Sequence, residues 1–296
     1  MVLVLATYVG RALRWEVMLR PLRQDASLWR ILTATAIGFT AVVLFGRAGE
    51  PVRPYLIAKK ENVTFSSQIA AWIVERILDL MMILLIFGIA LTQVSSSAIQ
   101  PGPRARVALE ASGYTAWITG AASLALLIGL RQFRGHMQDR VLGWLSFLPP
   151  KVLGRIRSVL ASFEEGMGSM RRVSTTLLLI GYSVVEWLII AGGFLCVCRA
   201  FPATAKLGIA DVVILLGFVA FGSALQIPGV GGGMQIATVL VLTEFFGIGL
   251  ATATGIALVL WFVSFVLIVP FGLALAFHEG IHWRNLRHIE TEETAA

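Results

Sequence analysis

Apolar segments of membrane-spanning length occupy most of this chain, and they restrict its fold more than any other feature. Residues 66–94, 174–198 and 249–277 each reach the ~20 apolar residues that a spanning helix needs. Because lipid offers the backbone no hydrogen-bond partner, such segments fold as helices. Only 14% of the 296 residues are charged, against about 25% in a soluble domain. The sequence therefore predicts an all-α polytopic membrane protein.

Basic residues are concentrated in the polar segments between the apolar ones, most of all in residues 131–172. We expect a multi-pass protein of the cell (cytoplasmic or inner) membrane. Because Lys and Arg are enriched in cytoplasmic loops, residues 131–173 and the C-terminus are expected to lie in the cytoplasm. Apolar residues within this linker predict short amphipathic helices on the membrane surface. The net charge of +7 fits contact with anionic lipid head groups, and its distribution does not indicate a nucleic-acid partner.

Several charged residues lie within or beside the apolar segments of the first half, where charge is energetically expensive. They are Arg47, Glu50, Arg53, Glu75, Arg76 and Asp79. Glu75 and Asp79 are four residues apart and share a helix face. Glu75 lies ~14 Å into a helix that starts near residue 66, close to mid-bilayer. We interpret these residues as part of a polar cavity, because ionisable groups inside a membrane are functional candidates.

Two breaks rich in glycine and proline interrupt the apolar segments, one in each half of the chain. The first contains Gly46, Gly49 and Pro51, and the second contains Pro228, Gly229, Gly231, Gly232 and Gly233, followed by Gln235. In a membrane, a broken helix is tolerated inside protein or along a wet cavity. The two breaks therefore point to the same polar cavity as the charged residues.

Both halves follow one plan: a full helix, an apolar leg, a break, a short leg and a second full helix. Such paired, interrupted segments are typical of transporters built from inverted repeats. The sequence predicts one transmembrane domain, 1–296, with a first repeat at about 1–130, an amphipathic linker at about 131–173, a second repeat at about 174–277 and a tail at 278–296. Loop charge favours two re-entrant helical hairpins in a helical bundle. The alternative is two ordinary spans per hairpin, with glycine and proline as packing residues.

Three motifs follow one another along the chain: Gly-Arg-x-Gly-Glu-x-x-Arg at residues 46–53, Glu-Arg-x-x-Asp at 75–79, and the break at 228–235. In this order and spacing they resemble the lysylphosphatidylglycerol synthase transmembrane family, also called the flippase-like domain family, over nearly the whole chain. The resemblance implies the lipid-handling membrane module without the soluble aminoacyl-transfer domain. The family usually has an acidic residue where this chain has Gln235 and often an arginine near Trp261. The chain is expected to be shorter than the family by about one helix at its N-terminus.

Moving a phospholipid head group through hydrocarbon requires a polar route with matching charge. Arg53 and Arg76 suit a phosphate because a guanidinium donates paired hydrogen bonds, and the nearby carboxylates can balance them when no lipid is bound. Glu186, in the middle of residues 174–198, joins the candidates without a visible partner. The candidate head-group site consists of Arg47, Glu50, Arg53, Glu75, Arg76, Asp79, Glu186 and Gln235.

We therefore predict a lipid-handling protein that binds and translocates a phospholipid or lipid-linked head group. The alternative is that the charges only pair with one another and fix the first hairpin against the following helix. The expected partners are membrane lipids with anionic head groups, with a second copy of the chain or a separate lipid-modifying enzyme as further candidates. The glycine run at residues 231–233 matches neither the dinucleotide fingerprint nor a phosphate loop, so no cofactor is expected.

A competing enzymatic interpretation comes from His278, Glu279 and His282, which fit H-E-x-x-H. On a helix the two histidines share a face and could bind zinc, with Glu279 as the general base. Gly280 weakens such a helix, and no clear third ligand accompanies the motif. A membrane-embedded zinc metallopeptidase is therefore the alternative function, ranked below a chance match at an interfacial helix end, and no resident metal is expected.

Overall fold

Helices form most of the structure, which is a computed structural model describing residues 2–96, 113–114, 118–123, 125, 142–145, 149–168, 172–223, 226–227 and 231–280. They are α1 (Val2–Leu19), α2 (Leu28–Phe45), α3 (Val52–Glu61), α4 (Phe65–Ser96), α5 (Pro150–Gly166), α6 (Val173–Ala200), α7 (Ile209–Gly222), α8 (Gly233–Glu244), α9 (Leu250–Trp261) and α10 (Val269–His278). A 3₁₀ helix, Gly46–Gly49, joins α2 to α3, and a π-helical turn, Phe262–Val266, joins α9 to α10. The strands β1 (Gln226–Ile227) and β2 (Gly231–Gly232) form a short antiparallel pair between α7 and α8.

Three of the described segments are long and apolar enough to cross a membrane: Leu28–Gly49, Val173–Ala200 and Leu250–His278. The longest helix, α4, has 32 residues, but its charged residues interrupt the apolar sequence. The predicted all-α membrane protein is thus confirmed. Much of the predicted span at residues 113–130, much of the linker and the tail beyond residue 280 lie outside the described residues.

The first break turns the chain back on itself. Helices α2 and α3 lie side by side and run in opposite directions. Arg53, near the start of α3, faces Gly38 in the second half of α2. The Lys60 carbonyl, near the end of α3, accepts a hydrogen bond at 3.2 Å from Arg30, near the start of α2. Gly46 has φ +64°, which favours glycine over other residues. Gly49 lies so close to the α2 backbone that no side chain would fit there. The predicted first break is therefore a tight helical hairpin.

At the second break, too, two helices pack against each other. Helices α7 and α8 pack together, and a side chain on Gly222 would lie 2.7 Å from the carbonyl oxygen of Gly233. Gly232 has φ +130°, and its N–H donates a hydrogen bond to the Gln235 side chain at 2.7 Å, which caps α8. Pro228 and Gly229 lie outside the described residues. Strand β1 contacts the 3₁₀ helix Gly46–Gly49, so the two breaks meet.

The two halves pack reciprocally. Helix α2 of the first half packs on α10 of the second, α7 of the second packs on α4 of the first, and α1 packs on α6. A glycine lies in each of the first two contacts: Gly272 on α10 faces Thr40, and Gly217 on α7 faces Phe87 and Ala90. Small residues allow helices in a membrane to approach closely, so these glycines are part of the packing.

One predicted span and one predicted surface segment differ in detail from the structure. The span at residues 249–277 is one apolar segment, Leu250–His278, in which the π-helical turn Phe262–Val266 lies between α9 and α10. In the linker, α5 is helical as predicted and packs against the first turn of α4, where Gly166 lies against the Ser67 backbone. This contact joins the linker to the helix that carries Glu75.

Candidate functional site

A fully buried arginine on α1 lies at the centre of the charged residues. The Arg14 guanidinium donates hydrogen bonds to Asp79 Oδ1 at 2.7 Å, to Glu75 Oε1 at 2.8 Å and to Ser183 Oγ at 2.9 Å. These partners come from α4 and α6, so one side chain connects three helices. Such a buried charge requires close partners, and here two carboxylates supply them.

A second buried arginine, Arg53 at the start of α3, holds the other side of the same carboxylate. Its Nη1 atom donates to both Glu75 oxygens, at 3.0 and 2.8 Å. Nε donates to Thr35 Oγ1 at 3.1 Å, and Nη2 donates to the Arg11 carbonyl at 3.1 Å. The guanidinium lies 4.1 Å from the Trp15 ring centroid. Arg53 therefore fixes the first hairpin to α1 and α4.

Glu186 on α6 completes the cluster and has partners that the sequence did not reveal. Its Oε1 atom lies 2.8 Å from Arg11 Nη2, and its Oε2 atom lies 3.5 Å from Arg14 Nη1. Arg11 and Arg14 are not among the candidate residues predicted from the sequence. Their signal was present: two arginines three residues apart on an otherwise apolar helix require buried carboxylates nearby.

Arg76 differs from the buried arginines, because 41% of its side chain is exposed. Its Nη2 atom forms longer ion pairs, 3.4 Å to Asp79 Oδ2 and 3.6 Å to Glu75 Oε2. Its Nε atom is buried and has no hydrogen-bond acceptor among the described residues. Arg76 thus has the acidic neighbours that the sequence predicted, but it is held less tightly than Arg14 or Arg53.

A cavity of about 540 Å³ opens beside this cluster. Its charged lining residues are Arg11, Arg47, Glu50, Arg53, Arg76 and Asp79. The lining otherwise consists mainly of apolar and aromatic side chains from several helices, including Phe39, Trp72, Trp187, Phe194 and Met234. The cavity is therefore amphipathic, with arginines in excess over carboxylates among its described lining residues.

Along α1 and α6 the cavity lining beyond Arg11 is mostly apolar. On α1 the lining residues run from Arg11 back to Leu3, and on α6 they run from Trp187 forward to Val197. These helices are antiparallel, since Arg11 pairs with Glu186 whereas Leu3 lies against Gly192. The lining therefore extends along α1 and α6 from the charged cluster toward one end of the bundle, and Arg47 and Glu50 of the first break add charge to it.

The predicted site residues do not all reach the cavity. Arg47 and Glu50 of the first break line it, whereas Glu75 and Glu186 lie behind the lining. Gln235 is outside the lining and caps its own helix through Gly232. The second break contributes Met234 instead.

The H-E-x-x-H motif does not form a zinc site within the described residues. Helix α10 ends at His278, and Gly280 has φ +66°, so the helix does not continue through the described part of the motif. The Glu279 carboxylate accepts a hydrogen bond from Lys60 at 2.6 Å. No cluster of three metal-ligating side chains occurs in the part of the chain that the structure describes, and His282 lies outside it.

These features define a helical membrane protein with an amphipathic cavity between two helical hairpins. A family model for the lysylphosphatidylglycerol synthase TM region matches residues 1–272, and the chain belongs to that family. The family is a membrane module that often accompanies a separate synthase domain. No curated protein and no solved structure match the chain.

Proposed function

We propose that this protein binds a phospholipid or lipid-linked head group in the amphipathic cavity and translocates it across the membrane. The observation that supports this function best is the presence of charged and apolar surface within one cavity. A lipid combines the same two features, with a phosphate in its head group and apolar acyl chains. Arginine donors suit the phosphate, and the apolar walls suit the chains.

The arginines divide into two groups in this proposal. Arg14 and Arg53 are buried and both donate hydrogen bonds to Glu75, so they hold the helices together, although Arg53 also lines the cavity. Arg76 and Arg11 face the cavity, and Arg76 has the longer ion pairs. We assign phosphate binding to these cavity-facing side chains, with Arg76 as the principal donor.

The arrangement of the hairpins supports a transport route. We propose that the chain consists of two inverted repeats whose hairpins enter the membrane from opposite sides. The reciprocal packing of α2 on α10 and of α7 on α4 fits this symmetry, and the contact between the two breaks resembles the midplane sites of such transporters. Relative movement of the repeats would then expose the cavity to each side in turn.

The test is translocation of fluorescent phospholipids in proteoliposomes made with purified protein, compared among head groups. For Arg76→Lys, which keeps the charge but loses the planar fork, we expect a folded protein with transport reduced about tenfold or more. A hydrogen bond to a charged group contributes about 1.5–3 kcal/mol, which sets this magnitude.

The matched control is Arg20→Lys, at an exposed arginine that pairs with Glu16 at the end of α1. We expect this variant to transport like the unchanged protein. Full activity of Arg76→Lys would remove Arg76 from the site. Absence of head-group-dependent binding and translocation in the unchanged protein would refute the proposed function and favour a purely structural role for the charges.

A further inference from the structure

The ion pair between Arg11 and Glu186 lies at the boundary between the buried charges and the cavity. The Arg11 side chain is 17% exposed and lines the cavity, whereas the Glu186 side chain behind it is 2% exposed. The Arg11 guanidinium also lies 4.7 Å from the Phe39 ring centroid. A ligand in the cavity can therefore reach the positive charge of this pair, but the carboxylate stays behind it.

The Glu186 carboxylate has few other sources of stabilisation. Neither of its oxygens accepts a hydrogen bond from a described residue. Arg14 lies 3.5 Å away, but its guanidinium already donates hydrogen bonds to Asp79 and Glu75. Arg11 is therefore the principal counter-charge of Glu186.

Two cations, Arg11 and Arg14, lie within ion-pair distance of Glu186 in the described structure. Both come from α1, whereas α4 brings Glu75 and Asp79 together with Arg76, which pairs with those two carboxylates. On α7 the ionisable residue is Asp211, which accepts a hydrogen bond from a backbone N–H at the start of its own helix. Helix α9 has no ionisable residue in its sequence. Loss of Arg11 as a partner would leave Glu186 with Arg14, a cation that Glu75 and Asp79 already share.

We propose that Glu186 is a proton-binding site coupled to the binding of an anionic phosphate group in the cavity. The phosphate oxygens accept hydrogen bonds from Arg11, and the Arg11–Glu186 ion pair breaks. The Glu186 carboxylate then takes one proton from the solution and becomes a neutral carboxylic acid, because a buried carboxylate that has lost its closest counter-charge is strongly disfavoured. The incoming negative charge is matched by the proton. This coupling rests on the proposed function and adds a proton to it.

The experiment measures proton uptake from a weakly buffered solution when a probe is added to the purified protein in uncharged detergent. The probes are short-chain phosphatidylglycerol, inorganic phosphate and short-chain diacylglycerol. With phosphatidylglycerol we expect uptake approaching one proton per bound lipid. The apparent affinity for the lipid should fall by up to about tenfold for each unit by which the pH is raised, which is the linkage limit for one proton. Diacylglycerol, which lacks the phosphate, should cause no uptake, and inorganic phosphate tests whether the acyl chains are needed.

Glu186→Gln imitates the protonated state and should bind phosphatidylglycerol without proton uptake and with little dependence on pH. The control is Glu16→Gln, at the partly exposed carboxylate that pairs with Arg20, and it should retain the uptake. If Glu186→Gln does not fold, infrared difference spectra of the unchanged protein test the same step. A protonated carboxylic acid band should appear when the lipid is added.

Three results would overturn the proposal. Binding of phosphatidylglycerol to the unchanged protein without proton uptake would refute the coupling while leaving the proposed function intact. Uptake that persists in Glu186→Gln would refute the assignment to this residue. Failure of the unchanged protein to bind any lipid probe would refute the proposed function together with the coupling.

Discussion

At the scale of single residues, the buried cluster shares each carboxylate between more than one cation. Glu75 accepts hydrogen bonds from both Arg14 and Arg53, and Asp79 lies between Arg14 and Arg76. The sequence could identify Arg53, Glu75 and Asp79 as members, because charge inside apolar segments is informative by itself. It could not reveal the position of Arg14, since the contacts to Ser183 and Asp79 cross sequence separations of 169 and 65 residues.

The central position of Arg14 leads to a stability prediction. Replacing Arg14 with Met keeps much of the side-chain volume but removes the cation from between Glu75 and Asp79. Breaking one side of a buried ion pair costs about 3–5 kcal/mol, so we expect little folded Arg14→Met protein. Fluorescence-detected size-exclusion chromatography with a thermal ramp measures this loss. Arg20→Met, at an exposed position, serves as the control, and equal stability of the two variants would contradict the structural role of Arg14.

At the scale of helices and breaks, glycine determines how closely the two halves approach. The sequence could predict both breaks, because Gly46 and Gly232 lie among other glycines and prolines. In the structure both glycines have positive φ. It could not predict which helices pack through Gly272 and Gly217, since nothing in the sequence around a glycine of an apolar helix identifies the helix that it contacts. The π-helical turn Phe262–Val266 also has no glycine or proline within it, so composition gave no sign of it.

The contact between α10 and α2 leads to a packing prediction. A methyl group at Gly272 would overlap the Thr40 side chain and lie 2.6 Å from the Ala36 carbonyl oxygen. We expect Gly272→Ala to lower the free energy of unfolding by about 1–3 kcal/mol, because overpacking displaces the two helices. Thermal unfolding in detergent measures the change.

The matched control for this packing prediction is Gly181→Ala on α6, where an added methyl group meets nothing within 4 Å. Because alanine is a better helix former, this variant should be as stable as the unchanged protein or more stable by up to about 1 kcal/mol. Gly272→Ala as stable as Gly181→Ala would show that the α2–α10 contact is looser than described.

At the scale of the whole molecule, the ends of several helices converge on one side of the bundle. The base of the first hairpin closes where the Ser27 N–H donates to the Glu61 carboxylate at 3.3 Å. The end of α10 reaches the same place, since Lys60 donates to Glu279 at 2.6 Å. The all-α membrane fold could be predicted from the sequence. The closure of the hairpin base and its contact with α10 could not, because they depend on residues far apart in the chain.

This convergence makes the topology testable with single cysteines in a background that lacks Cys196 and Cys198. We expect cysteines at Arg20 and Lys59 to react with a membrane-impermeant reagent from the same side, because the hairpin α2–α3 returns to where it began. A cysteine at Lys206, between α6 and α7, should react from the opposite side, since α6 runs from the base of the bundle through the membrane. These positions avoid the Lys60 ion pair, so labelling should leave the hairpin base intact.

Labelling of Arg20 and Lys59 from opposite sides would refute the re-entrant hairpin and favour two ordinary spans. Labelling of Lys206 from the same side as both would contradict the opposite orientation of the two repeats.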